Sequence, residues 1–313
     1  MRRISKVAVA LAAATAAALL FTPGGHAVPD ALKTYVLPGQ CVQPESVTVR
    51  DGYFYTGGIC NGNIYRGDLR ERRAEVFVPG GATTLQAGIK ATATRLVVTG
   101  IRNGRAGARV YNRFTGKLLA QFLASRQNPI VNDVAIAPNG DAYLTDFTQS
   151  QIYRIPAAGL NGGQSGVQRL RVFLDFRGTS FPVQDGSANG IAVTSDGRFL
   201  IVTHFSAGRL YRVRLSDGQV RRIDLHGQEL AGPDGITLTE SNVLYVVEFN
   251  KSRVAEVRLS HRYGSGRVVS RTTSPGFQCP TSAAIAGDRL LVANSQFFGP
   301  NKPPYTIASI PLP

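Results

Sequence analysis

Residues 189–215 read NGIAVTSDGRFLIVTHFSAGRLYRVRL. This stretch contains three short apolar runs, and the turns between them contain Asp196-Gly197 and Gly208. Apolar runs punctuated by Asp-Gly or Gly turns are typical of antiparallel hairpins. The stretch therefore predicts three consecutive antiparallel strands.

The same unit recurs six times along the chain. Each copy has an opening residue followed by an apolar run, a turn and a second apolar run. The opening residues lie 42 to 57 residues apart, and they are Glu45, Ala87, Asn132, Asn189, Asp234 and Thr281. A repeat period in this range, with several short strands in each copy, indicates a β-propeller.

The strand count also predicts how the ring closes. A fourth run follows in four of the copies, at residues 73–78, 169–175, 220–225 and 267–272. The sixth copy ends at its third run, residues 305–311, whereas residues 32–37 form a spare run before the first copy. We therefore predict an all-β, six-bladed propeller with four antiparallel strands per blade, in which the N-terminal strand completes the last blade.

The N-terminus has the pattern of a secretory signal peptide. Arg2, Arg3 and Lys6 precede an apolar stretch, and small residues lead up to Ala27. The apolar stretch, at residues 7–21, is shorter than the roughly 20 residues of a bilayer span, although a retained anchor is the alternative. We expect residues 1–27 to be a signal peptide, residues 28–313 to be a secreted propeller, and no stable membrane insertion.

Composition limits the possible functions. The 313 residues are 43% hydrophobic and 18% charged, which fits a globular chain, and the net charge is +15. The arginines are spread over the outer strands of several blades, which argues against a nucleic-acid groove. The sequence has no GxSxG, HExxH or P-loop pattern. We expect a monomer whose partner is a small-molecule substrate.

The six opening residues point to a metal site. The first strand of each blade lines the central channel, so its opening residues should surround one mouth of that channel. Four of the six carry carboxylate or amide oxygens: Glu45, Asn132, Asn189 and Asp234. Oxygen donors of this kind suit a divalent cation, above all Ca²⁺. The alternative is that Asn and Asp before Gly are ordinary turn residues.

Short motifs around these positions carry a family resemblance over essentially the whole mature chain. They are Pro44-Glu45, Asn132-Asp133, Asn189-Gly190, Pro233-Asp234-Gly235 and Pro280-Thr281-Ser282. With these motifs the chain resembles the senescence-marker-protein, gluconolactonase and luciferin-regenerating-enzyme family, and is also similar to strictosidine-synthase-like propellers. The resemblance implies a metal, usually calcium, held by Glu45, Asn189 and Asp234, with Asn132 contributing to metal or substrate binding. It also implies that Asp234 is the general base.

Two positions depart from the pattern of that family. Ile130 stands where sugar-lactone members can carry arginine, and His204 stands where an acidic residue is common. Asp234 held against a cation would keep a low pKa and act as a modest base, whereas His204 is better matched to neutral pH. His204 therefore competes for the catalytic role. Its alternative is an exposed histidine at a hairpin end.

Three phenylalanines occupy equivalent positions, one residue past the second strand of their blades. They are Phe147, Phe205 and Phe249. An aromatic rim at the mouth would bind an apolar or acyl-bearing substrate together with Asn132 and Asp133, whereas packing between blades is the equal alternative.

The three cysteines allow one disulfide. Cys41 and Cys279 lie in similar crossover loops of neighbouring blades, so we predict that they form a bond that reinforces the ring closure. Cys60 lies in a hairpin on the same face and could replace either partner.

Two functions follow from this reading. The first is a secreted calcium-dependent hydrolase that acts on a lactone or a related ester at the channel mouth. The second is a non-catalytic, metal-stabilised propeller that binds a ligand or a component of the cell envelope.

Overall fold

A computed structural model describes residues 33–81, 83–125, 129–161, 166–183 and 187–313. The predicted signal peptide, residues 1–27, lies outside the described residues. So does residue 32, the first residue of the predicted N-terminal strand. Within the described ranges, no helix has the length and hydropathy of a membrane span.

The described chain is an all-β, six-bladed propeller, as predicted. Twenty-four of its strands form six blades of four antiparallel strands. The chain begins with β1 (Lys33–Leu37); blade 1 then contains β2 (Pro44–Arg50), β3 (Tyr53–Gly58), β4 (Ile64–Asp68) and β5 (Ala74–Val78), and blade 2 contains β6 (Thr84–Ala91), β7 (Arg95–Arg102), β8 (Arg105–Asn112) and β9 (Leu118–Leu123). In or beside blade 3 lie β10 (Val131–Ile136), β11 (Ala142–Asp146), β12 (Gln151–Ile155), helix α1 (Ala157–Leu160), β13 (Val167–Arg169) and β14 (Arg171–Asp175), and blade 4 contains β15 (Ala188–Val193), β16 (Phe199–His204), β17 (Arg209–Arg214) and β18 (Val220–Arg222). Blade 5 contains β19 (Pro233–Leu238), β20 (Val243–Glu248), the 3₁₀ turn Phe249–Lys251, β21 (Arg253–Leu259) and β22 (Gly266–Thr272), and blade 6 contains β23 (Pro280–Ala286), β24 (Arg289–Asn294) and β25 (Tyr305–Pro311).

The N-terminal strand closes the ring. β1 pairs antiparallel with β25 and is the fourth strand of blade 6, in a register that runs from Lys33 opposite Ser309 to Leu37 opposite Tyr305. Tyr35 and Leu37 are buried between blade 6 and blade 1, and the Tyr35 hydroxyl donates a hydrogen bond to the Leu69 carbonyl at 3.0 Å. The closure predicted from the strand count is confirmed.

One strand departs from the regular pattern. The sequence predicts a single fourth strand over residues 169–175, whereas the chain breaks at Leu170 into β13 and β14. β14 completes blade 3, but β13 pairs in parallel with β9 and adds a fifth strand to blade 2. Leu170 is buried in the core between these two blades.

The disulfide prediction is wrong. The bond joins Cys41 to Cys60, whose Cα atoms are 5.6 Å apart, and Cys279 is a free thiol. Each crossover loop pairs with a hairpin of its own blade rather than with the neighbouring crossover. The Cys60 N–H donates to the Val42 carbonyl, and the Ser295 N–H donates to the Cys279 carbonyl. Cys41 and Cys279 are therefore held by different blades.

Arg109 in β8 is a buried cation with no counter-ion in the described part of the chain. Its side chain is 1% exposed, and its three guanidinium nitrogens have no hydrogen-bond partner among the described residues. Burial lowers the pKa of Arg109, and nearby Arg102 lowers it further. An apolar side chain of similar length removes the cost of burying this charge. We expect Arg109→Met to raise the free energy of unfolding by roughly 1–3 kcal/mol in a urea titration.

Arg113 provides the matched control for this prediction. It is also buried, but it forms an ion pair with Asp51 at 2.5 Å and donates to the Ala93 carbonyl at 2.8 Å. Arg113→Met should therefore lower the free energy of unfolding. Equal losses in both variants would contradict the unpaired state of Arg109.

Candidate functional site

All six first strands carry an irregularity at their opening residue. The register between first and second strand shifts around Glu45, Ala87, Asn132, Asn189, Asp234 and Thr281. A β-bulge inserts an extra residue and re-aims the side chains beside it. The bulges therefore set the direction of the six opening side chains, which lie at one end of their strands.

Glycines allow the neighbouring first strands to approach one another at this level. A Cβ on Gly190 would lie 2.2 Å from the Asp234 carbonyl oxygen, and a Cβ on Gly235 would lie 2.8 Å from the Thr281 carbonyl oxygen. Asn189-Gly190 and Asp234-Gly235 lie inside β15 and β19, not in turns. Close strand packing, rather than turn formation, explains why glycine follows these two polar residues.

Threonine hydroxyls fix the backbone of the opening residues. Thr145 donates to the Asn189 carbonyl at 2.6 Å, and Thr281 donates to the Glu45 carbonyl at the same distance. Two further threonines repeat this contact: Thr99 to the Asn132 carbonyl and Thr203 to the Asp234 carbonyl. These hydrogen bonds were not predicted from the sequence, although threonine recurs at the penultimate position of β11 and β16 and could have indicated them.

The polar opening side chains are connected. The Asn132 amide donates to Oδ1 of Asn189 at 2.5 Å, and a hydrogen bond from Asn189 lowers the pKa of Asp234. In addition to the effect of burial, the negative charge of Asp234 in turn raises the pKa of Glu45. A hydrogen bond therefore joins two of the four predicted ligands, Asn132 and Asn189, and the charges of the other two, Glu45 and Asp234, interact.

The carboxylates of this site are buried and lie near other negative charges, which makes their charged forms unfavourable. Burial and the neighbouring charges of Asp234 and Asp133 raise the pKa of Glu45 well above its usual value. Burial and Asp133 likewise raise the pKa of Asp234 well above its usual value. Buried like charges of this kind are relieved by protonation or by a cation.

The donor set fits a hard divalent cation in type. Glu45 and Asp234 supply carboxylate oxygens and Asn132 and Asn189 supply amide oxygens, the ligands that Ca²⁺ prefers. In the described part of the chain, however, no three His, Cys, Asp or Glu residues converge closely enough to hold a metal. Two of the four predicted ligands are amides, so a metal at this site would be bound by two carboxylates, two amide oxygens and water molecules.

Asp133 is engaged by the backbone. Its two carboxylate oxygens accept hydrogen bonds from the N–H groups of Val134 at 2.8 Å and Ile191 at 3.1 Å. Burial raises the pKa of Asp133, whereas Lys90 and these two hydrogen bonds lower it. Asp133 therefore links the first strand of blade 3 to that of blade 4 and adds negative charge beside Asp234.

His204 is not the exposed histidine that was one of its two sequence expectations. Its side chain is fully buried rather than exposed, and its ring packs on Phe181 with centroids 4.6 Å apart. Nε2 lies 2.9 Å from the Pro182 carbonyl, and Nδ1 accepts the Ala207 N–H at 3.1 Å. Burial lowers the pKa of His204. Both ring nitrogens are occupied by the backbone, so this geometry leaves neither of them free to activate water.

Equivalent residues in other blades perform the same structural task. Each one ends the second strand and hydrogen-bonds to the incoming crossover loop. Asp146 accepts the Ile130 N–H at 3.2 Å, Glu248 accepts the Ala231 N–H at 2.8 Å, and Asn294 accepts the Gln278 N–H at 3.0 Å. The polar residue at this position therefore holds the incoming crossover loop by a hydrogen bond to its backbone. His204 occupies the equivalent position in blade 4.

The phenylalanines form a continuous aromatic arc on the face that carries the opening residues. Phe147 and Phe205 have centroids 6.0 Å apart, as do Phe205 and Phe249. Phe297 and Phe298 extend the arc, at 6.4 Å and 5.6 Å from Phe249. The rings contact one another across neighbouring blades, and the first three remain half-buried while Phe298 is exposed. The rings therefore pack against one another between blades and also leave aromatic surface accessible on this face.

Comparison with known families identifies the chain. Residues 43–293 match the family described as the SMP-30/gluconolactonase/LRE-like region. The chain belongs to this family. The matched range includes the first strands of all six blades and all six opening residues.

Curated relatives are similar over part of the chain only. Lactonase drp35 of Staphylococcus aureus is 30% identical over 131 residues, and lactonase drp35 of Staphylococcus haemolyticus is 28% identical over 131 residues. Each alignment covers 40% of this chain and 37% of the relative. The chain therefore aligns with less than half the length of these lactonases.

Solved structures share the fold at low sequence identity. The major allergen Mala s 1 of Malassezia sympodialis has a TM-score of 0.65 at 12% identity and covers 88% of this chain and 95% of its own. The calcium-binding protein regucalcin of Agrobacterium tumefaciens has a TM-score of 0.61 at 17% identity, with coverages of 88% and 93%. A luciferin-regenerating enzyme has a TM-score of 0.62 at 14% identity, with coverages of 90% and 96%.

Proposed function

We propose that the protein is a secreted, calcium-dependent lactonase whose active site is the ring of opening residues at the channel mouth. The observation that carries the proposal is the hydrogen-bonded pair of Asn132 and Asn189 together with two buried carboxylates of raised pKa, Asp234 and Glu45. Membership of the gluconolactonase-like family and partial similarity to lactonase drp35 support the same chemistry.

The metal is assigned to the carboxylates of Glu45 and Asp234 and the amide oxygens of Asn189 and Asn132. A bound Ca²⁺ would supply Lewis-acid polarisation of the ester carbonyl. The mutual repulsion of Glu45, Asp133 and Asp234 favours a cation at this position. The hydrogen bonds from Thr145 and Thr281 hold the backbone of the donor residues in place without using their side chains.

Asp234 is assigned as the general base. The residue is 6% exposed, and hydrogen bonds from the Asn189 side chain and the Gly235 backbone N–H favour its charged form by lowering its pKa. It takes the proton from the attacking water, and Asn189 orients it for that transfer. His204 has no part in this step because the backbone holds both of its ring nitrogens.

The aromatic arc is assigned to substrate recognition. Phe147, Phe205 and Phe249 flank the mouth on three consecutive blades and retain accessible surface. Half-exposed aromatic rings bind apolar groups better than the hydroxyls of a sugar. We therefore assign the protein lactones that carry an alkyl, acyl or aryl substituent.

Secretion is part of the proposal because of two features. The N-terminal sequence has the pattern of a signal peptide, and Cys41 and Cys60 form a disulfide. Disulfides persist mainly in oxidising compartments outside the cytoplasm. The alternative function is a non-catalytic propeller that binds a ligand at the mouth. It shares these features, so only a measurement of lactone hydrolysis distinguishes it from a lactonase.

A panel of lactones tests the function. The purified mature protein should hydrolyse an alkyl-substituted γ-lactone and an aryl-fused δ-lactone with lower KM values than a sugar δ-lactone, measured by pH-stat. Phe205→Ala should raise KM for the first two at least several-fold and leave KM for the sugar lactone unchanged. Phe114, an exposed phenylalanine outside the arc, provides the control variant Phe114→Ala. Absence of hydrolysis across the panel would favour the binding function.

A further inference from the structure

A second candidate site lies on the outer side of blades 2 and 3, away from the opening residues. The fifth strand of blade 2 creates it, because β13 leaves blade 3 and pairs with β9. The resulting cavity has a volume of about 360 Å³, within the range of small-ligand sites. Its lining includes Phe122, Arg154, Pro156, Gln168, Arg169 and Arg171.

Two of the three arginines that line the cavity carry uncompensated charge. Arg154 is neutralised by Asp141, whose Oδ2 lies 2.7 Å from Nη2 of Arg154. Arg169 and Arg171 are exposed, and neither has an ion pair or a side-chain hydrogen bond with any other described residue. The cavity therefore presents a net charge of two positive guanidinium groups.

An unused hydrogen-bond donor lies directly before Arg169 in the sequence. The side-chain nitrogen Nε2 of Gln168 is buried and has no hydrogen-bond partner in the described ranges. The parallel register places Gln168 opposite Phe122, a buried residue of β9 that lines the same cavity. A buried donor without an acceptor is costly, so an acceptor atom of a ligand at this place would be stabilising.

We propose that this cavity binds a phosphate monoester. Two uncompensated guanidinium groups match the charge of a phosphate group, which is about −1.5 to −2 near pH 7. Arginine binds phosphate oxygens in bidentate geometry, and the Gln168 amide would donate to a third oxygen. The cavity is larger than the oxyanion alone, and Phe122 and Pro156 give its remaining wall apolar surface for the organic group.

Net basicity does not explain the arrangement. The chain has a charge of +15, and arginines occur on the outer strands of other blades. Arg221 and Arg222 on β18 of blade 4 are also exposed, but neither of them lines this cavity. They supply a matched control, since Arg221→Ser/Arg222→Ser removes the same charge as Arg169→Ser/Arg171→Ser.

Calorimetric titration of the full mature protein tests the proposal at constant ionic strength and pH 7.5. The probes are inorganic phosphate, a hexose phosphate monoester and succinate, a carboxylate dianion. We expect saturable one-to-one binding of both phosphates, tighter for the hexose phosphate, and weaker binding of succinate. Arg169→Ser/Arg171→Ser should weaken phosphate binding at least tenfold, and Gln168→Leu should weaken it roughly tenfold.

Three results would overturn the proposal. They are the absence of saturable binding, equal weakening in the Arg221→Ser/Arg222→Ser control, and succinate binding as tight as phosphate. The first would show a structural cavity only, the second a general effect of charge, and the third a carboxylate site. Lactone hydrolysis should be unchanged in all of these variants, so the outcome is independent of the proposed function.

Discussion

A chain shortened to begin at Pro38, and therefore lacking β1, should not yield a stable monomeric propeller. Tyr35 and Leu37 are 4% and 2% exposed in the core between blades 6 and 1. Losing side chains of this size from a core costs about 2–5 kcal/mol each, comparable in sum with the 5–15 kcal/mol that stabilises a typical domain. β25 would also present an unpaired edge. We expect aggregation on size-exclusion chromatography, or a melting temperature far below that of the parent.

Substitutions within β1 separate the loss of packing from the loss of the terminus. Tyr35→Ala should lower the free energy of unfolding by about 3–5 kcal/mol, because the ring packs on Phe54 at 5.0 Å. Val36 on the same strand is 48% exposed, so Val36→Ala should change it by less than about 0.5 kcal/mol. A shortened chain that folds as a monomer with the parent's melting temperature would contradict the closure.

Asp234→Asn should reduce kcat for lactone hydrolysis by about 10²- to 10⁴-fold, the contribution of a positioned general base. The substitution keeps the shape of the side chain and removes its charge, so the fold should persist. It should also abolish the rise in melting temperature that Ca²⁺ produces by binding the native state. The measurements are steady-state kinetics and thermal unfolding with and without Ca²⁺.

Glu256→Gln is the matched control for Asp234→Asn. Glu256 is a buried carboxylate on β21, a third strand, and it hydrogen-bonds to Ser270 and Arg258. Its substitution should lower stability without changing kcat or the response to Ca²⁺. Equal losses of activity in the two variants would assign the effect of Asp234 to folding rather than to catalysis.

The architecture was predictable because it repeats. Six copies of one strand pattern identify a propeller, and a missing strand at one terminus with a spare strand at the other identifies its closure. The split of the predicted strand at residues 169–175 was not predictable. It depends on Leu170 entering the core between blades 2 and 3, a contact between distant parts of the chain.

The candidate site was predictable in composition but not in detail. The opening residues could be identified by their position in each copy, because a propeller brings equivalent positions together. Their bulges and the threonine hydrogen bonds depend on how neighbouring first strands pack, which a single repeat does not encode. Sequence placed His204 correctly at the end of β16, but its role follows from the crossover loop that carries Pro182.

The disulfide illustrates the same limit. Cys41 and Cys279 occupy similar loops, and sequence similarity between loops suggested that they meet. Each loop instead pairs with its own hairpin, which places Cys60 beside Cys41. Residues at equivalent positions of two blades are thus expected to have similar surroundings, but not to contact each other.

Hydrolysis of an alkyl-substituted γ-lactone by the mature protein, before and after removal of divalent cations, tests the central claim most directly. The untreated protein should hydrolyse the lactone, treatment with a chelator should abolish turnover, and added Ca²⁺ should restore it to the parent protein but not to Asp234→Asn. Turnover that survives complete chelation, or restoration of Asp234→Asn by Ca²⁺, would contradict a calcium-dependent lactonase site at the channel mouth.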